Sequence, residues 1–113
     1  MNAGSHVADE DYAQPGIRTQ LLVSNTATGE RTVVITVEPG VRSEAHHHNL
    51  DEHTLVLNGS YHDGSRHLRR GDYAYRRAGE SHASSTAAGC VLLVIYTTAG
   101  AAPALVSEAR ALT

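Results

Sequence analysis

The chain contains no lysine, tryptophan or phenylalanine, and its single cysteine is Cys90. One thiol cannot close an internal disulfide, which excludes a disulfide-stapled secreted scaffold. The opening stretch, MNAGSHVADEDYAQPG, has neither a basic start nor an apolar core like that of a signal peptide, so a soluble cytoplasmic protein is expected. No run approaches the roughly 20 apolar residues that span a bilayer. Positive charge is also scarce: nine basic residues, all arginine, stand against twelve acidic ones for a net charge of −3. The arginines are scattered apart from pairs at 69–70 and 76–77, so no nucleic-acid surface is expected. There is no Ser-His-Asp arrangement, Gly-rich phosphate loop or CxxC pair. A chain of 113 residues is one domain, long enough to bury about two-thirds of its unfolded surface around one core.

The chain reads as short strands. Residues 1–16 are polar and acidic and are expected to form an N-terminal arm. IRTQLLVS (17–24) and RTVVITVE (31–38) are β-branched runs separated by the turn-forming NTATGE. Asp63-Gly64 marks a hairpin, read as the central pair of a type I′ turn. CVLLVIYT (90–97) is a continuous apolar run and should be a central strand. In the tail, 101–113, Leu105, Ala109 and Leu112 fall at helical spacing, but such a helix is too short to stand alone. Many short strands with frequent turns predict an all-β sandwich or barrel over 17–100.

What the chain has in excess is histidine, and the densest stretch is EAHHHNLDEH, 44–53. In an extended segment side chains alternate, so His46 and His48 share a face while His47 points away. Glu52 has the same parity after a short link, and His82, in GESHAS, is the best candidate for a fourth ligand. Imidazoles and a carboxylate suit Fe(II), Mn(II), Ni(II), Cu(II), Co(II) or Zn(II), and the lack of nearby thiolates argues against a zinc-finger site. By parity His47 and His53 are solvent-facing or support the ligands from behind. His62 and His67 flank a hairpin tip. Tyr73 and Tyr75 share one face of a strand; they are core filler or a pocket wall able to bind substrate. Arg77 is a solvated loop residue or an anchor for a carboxylate or enolate.

The spacing from Gly40 through His46, His48 and Glu52 to Gly59 resembles the complete first motif of the cupins. From Gly71 through Arg77, Gly79 and His82 to Thr86 the chain resembles their second motif, with Arg77 where Pro is usual and Thr86 where Asn is usual. EHTLVLNGSYHDG and GCVLLVIYT look most like the cupin domain of the ChrR anti-sigma factor and its stand-alone relatives. The resemblance implies a single-domain cupin β-barrel (double-stranded β-helix, or jelly roll). It also implies one divalent transition metal held by His46, His48, Glu52 and His82. Similar stand-alone cupins imply an Fe(II) dioxygenase acting on a small diketone-like carbonyl or enol, with Glu52 also serving as a catalytic base. The alternatives are an isomerase, lyase or polyketide cyclase, or a Zn-binding sensor module without catalysis. A homodimer formed through the segment 17–24 is expected from its place at the sheet edge.

Overall fold

The computed structural model describes residues 14–99, so the expected arm and tail lie largely outside the described residues. These residues form β1 (Ile17–Ser24), β2 (Arg31–Val37), β3 (Arg42–His46), β4 (Asp51–Asp63), β5 (Arg66–Arg69), β6 (Tyr73–Arg76), β7 (His82–Ser85) and β8 (Cys90–Thr97). All pairings are antiparallel, in the order β1-β2-β8-β4-β7-β3, with β5 and β6 also paired to β4. The curled sheet is the expected cupin β-barrel. Among the described residues no helix is long and apolar enough to cross a membrane.

The apolar run at 90–97 becomes β8, central between β2 and β4. Its inward residues Cys90, Leu92, Val94 and Tyr96 pack with Val33 and Ile35 of β2 and with Val56 and Tyr61 of β4. In a chain without Phe or Trp, Tyr96 is the largest fully buried side chain. Burying a large apolar side chain stabilises by roughly 1.5–3 kcal/mol, so each of these positions contributes to folding on that scale.

β4 serves both sides of the barrel. Its first half pairs with β8 and β6, and its last residues pair with β5 and β7. The changeover is a bulge between Val56 and Asn58, followed by Gly59 at φ 73°. One extra residue reverses the alternation. Glu52, Thr54 and Val56 are buried before the bulge, whereas Tyr61 and Asp63 are buried after it. Thr86, at the position where the cupin pattern carries Asn, pins this bend. Its hydroxyl donates to Ser60 O at 2.6 Å and accepts from Gly89 N at 2.9 Å.

The hairpin after β4 forms, but its centre is shifted by one residue from the expected one. Asp63 pairs with Arg66, which leaves Gly64 and Ser65 as the central residues. Only Gly64 has positive φ, as in a type II′ turn rather than I′. Asp63 is therefore a strand residue, and its buried carboxylate is available to the interior.

A Cβ on Gly59 would fall on the Gly89 carbonyl oxygen and 2.9 Å from Cys90 Cα, in a backbone conformation that L side chains rarely adopt. Gly59→Ala should therefore destabilise the fold by about 3 kcal/mol or more. Urea unfolding of the two proteins checks this.

Candidate metal centre

Glu52 enters the barrel near the start of β4, and His82 opens β7 on the opposite wall. His48, in the link before β4, completes a cluster with them: one ligand atom from each lies within 4.8 Å of the others. His46 ends β3 directly across the ladder from His82, and its side chain is not among those described. The structure thus brings together His48, Glu52 and His82 of the four expected ligands, with the backbone of His46 beside them.

Both imidazoles of the cluster are held from behind. The His48 ring lies against Tyr96, with centroids 5.2 Å apart, and the Arg31 guanidinium sits 4.2 Å from the centroid of that tyrosine. His82 Nδ1 is 3.1 Å from Asp63 Oδ1, which leaves Nε2 on the side of Glu52, 3.7 Å from Oε1. Asp63 also forms ion pairs with Arg76 and, at 3.1 Å, with Arg66. Burial alone would raise the Asp63 pKa. Hydrogen bonds from His82 and Arg76, with the charge of Arg76, outweigh burial and hold the carboxyl well below the usual carboxylate range. Arg76 sits directly opposite Glu52 in the β4–β6 ladder.

The Glu52–His82 pair fits a divalent ion in spacing, and the cluster fits one in chemistry. Two ligand atoms each about 2.1 Å from one ion stand at most about 4.2 Å apart. The buried pair His82 Nε2 and Glu52 Oε1, at 3.7 Å, falls inside that limit and beyond hydrogen-bond length. Two neutral imidazoles and a carboxylate suit first-row transition metals.

Glu52 and His82 also line a small cavity of about 50 Å³ with Thr54, Tyr61, Ile35 and Val94. Burial, with the nearby charges of Asp63 and Glu52, pushes the Tyr61 phenol up, so it stays protonated and can donate. A wider open cleft of about 520 Å³, lined by Arg42, Glu44, His62 and Ser85 among others, includes none of the cluster residues.

Tyr73 and Tyr75 are placed elsewhere. They pair with Leu55 and His53, on the sheet face away from Glu52. There Tyr73 OH bonds His53 Nδ1, and Tyr75 OH donates to Asp51 Oδ2 at 3.1 Å. Arg77 is an exposed loop residue, and the guanidinium beside the cluster belongs to Arg76. His47 is exposed, and His62 and His67 stack on each other at the hairpin with centroids 4.4 Å apart. The phenol that lines the cavity with Glu52 and His82 is Tyr61, and sequence reasoning missed it together with Asp63 and Arg76.

The sequence profile of the ChrR Cupin-like domain matches residues 5–99. The chain belongs to the ChrR cupin-like family. Solved structures with the same fold include the anti-sigma factor ChrR in complex with SigE from Rhodobacter sphaeroides. It is 21% identical with a TM-score of 0.65, and the match covers 74% of this chain and 45% of that one. An RmlC-like cupin from Shewanella frigidimarina is 21% identical, TM-score 0.68, covering 78% and 81% of the two chains. An oxalate decarboxylase variant from B. subtilis is 17% identical, TM-score 0.65, covering 79% and 27%. This ChrR-like cupin thus spans under half of the ChrR chain it matches. No curated protein sequence matches it.

Because the folded-state pKa of Asp63 lies below the unfolded value of 3.8, its stabilisation is fully present above that value and is lost as pH falls through and below it. Asp63→Asn should be less stable than wild type at neutral pH, with the gap shrinking below pH 3.8. Urea unfolding across a pH series measures it.

Proposed function

We propose that this cupin holds one divalent transition metal through His46, His48, Glu52 and His82, and that it is an enzyme acting on a small carbonyl compound that can form an enolate. The observation that carries the reading is that Glu52 and His82 line a small cavity in the barrel. A purely structural ion needs no such space. When bound, the metal would supply Lewis-acid stabilisation of an oxyanion and, as Fe(II), redox capacity towards O₂. We favour Fe(II) and a dioxygenase reaction on a diketone-like substrate.

The chain's own residues have distinct tasks in this reading. Glu52 is the carboxylate placed to take a proton from the carbon acid. The protonated Tyr61 phenol, hydrogen-bonded to Thr54, is a donor for a developing oxyanion. Ile35 and Val94 form apolar walls of the same space. With a volume of about 50 Å³, the cavity admits only a compact group. A role for Tyr73, Tyr75 or Arg77 in substrate binding would require a substrate that extends beyond this cavity.

A second reading, a metal-binding sensor or structural module without catalysis, is favoured by the family, since the relative ChrR is an anti-sigma factor. Metal analysis of protein from unsupplemented cells, followed by O₂ uptake by the Fe(II)-loaded chain with small β-diketones, separates the two. The enzyme reading expects uptake that Glu52→Ala slows by about 100-fold or more. A zinc-filled site blind to diketone and azide would refute it. Substrate turnover without O₂ uptake would assign an isomerase, lyase or cyclase instead.

The proposal places the protein in the cytoplasm, where Cys90 stays reduced. It also includes a homodimer through β1. That strand ends the sheet path, and Leu22 and Val23 on it are 52% and 60% exposed. Light scattering at micromolar concentration should give twice the monomer mass, and a monomer would rule the dimer out.

A further inference from the structure

From the geometry we infer that Asp63 is a positioning residue that fixes which nitrogen of His82 is presented to the metal. The inference rests on the metal reading above and assigns a role outside the four ligand positions.

Asp63 closes β4 and pairs with Ser84 of β7, two residues beyond His82, so the two side chains meet on one face of the ladder. An ionised carboxylate only accepts hydrogen bonds, so at 3.1 Å it requires the hydrogen to sit on His82 Nδ1. A neutral imidazole then has its lone pair at Nε2, the atom that lies 3.7 Å from Glu52 Oε1. The carboxylate is itself immobilised. Its side chain is 4% exposed, Arg76 pairs with Oδ1, and Arg66 reaches Oδ2 across the hairpin. Two guanidiniums hold it oriented in a buried place, and His82 Nδ1 also reaches Oδ1. A carboxylate behind a ligating imidazole fixes its tautomer and ring orientation and raises its basicity, which tightens metal binding. Arg66 is a useful control, because its side chain is 45% exposed and it contributes to the same carboxylate from the solvent side.

The test uses the full chain with Co(II) as the probe. Titration followed by visible absorption, with a competing chelator, gives the affinity of wild type, Asp63→Asn and Arg66→Gln. Long-range ¹H–¹⁵N spectra of the apoprotein give the His82 tautomer. Wild type should show a protonated Nδ1 and a bare Nε2. Asp63→Asn should weaken Co(II) binding by about 10- to 100-fold and change the His82 nitrogen shifts. Arg66→Gln should weaken it by no more than about fivefold. Tight wild-type binding with an unchanged Asp63→Asn affinity overturns this inference alone. A wild-type chain that binds no Co(II) overturns the metal reading and this inference with it. Should Asp63→Asn fail to fold, the wild-type tautomer decides: hydrogen on Nε2 overturns the assignment, and hydrogen on Nδ1 supports it.

Discussion

A single strand that must change sheets sets the form of this molecule. β4 lays its first half against β8 and β6 and its last residues against β5 and β7, so between them the backbone must turn sharply without losing its ladder. The bulge after Val56 supplies the turn, and Gly59 permits the approach of Gly89, where a side chain would overlap backbone. The Thr86 hydroxyl, bonded to both Ser60 and Gly89, holds the two segments together. As a result, residues near the two ends of β4 converge on one imidazole. Glu52 faces Nε2 of His82, and Asp63 faces Nδ1.

The parity change explains what could be read in the sequence and what could not. Strand identity and the spacing of His46, His48, Glu52 and His82 were legible because both depend on local periodicity and on short fixed separations. Tyr61 and Asp63 were not. Strict alternation counted from Glu52 sends odd-numbered residues outward, and one unpaired residue at the bulge sends them inward. Asp63 was further disguised by Gly64, since an Asp-Gly pair reads as the centre of a turn. Tyr73 and Tyr75 attracted notice as a same-face pair, and they are one. Only the β4–β6 register shows that their face is that of His53 and not of Glu52. The same register makes Arg76, rather than its neighbour Arg77, the guanidinium beside the cluster.

Charge around the centre is arranged in layers. Glu52 and Asp63 both carry carboxylates on the inner side of β4, and Arg76 stands opposite one and is ion-paired with the other. The arginine thus offsets part of the negative charge that the two carboxylates bring to the interior. Fold likeness to ChrR or to an oxalate decarboxylase does not fix such an arrangement, which belongs to these side chains.

The short turn after β4 also bears on how such a chain can diversify. Surface loops ordinarily absorb insertions at little cost, and the exposed tip 26–28 between β1 and β2, hydrogen-bonded within its own turn, is free to do so. The turn at Gly64 and Ser65 is not. Asp63 and Arg66 are at once its flanking register pair and an ion pair behind His82. Lengthening the tip by one residue would slide Arg66 off its partner and loosen the hold on the imidazole. In descendants of this sequence, length variation should therefore gather at the first hairpin and avoid the second.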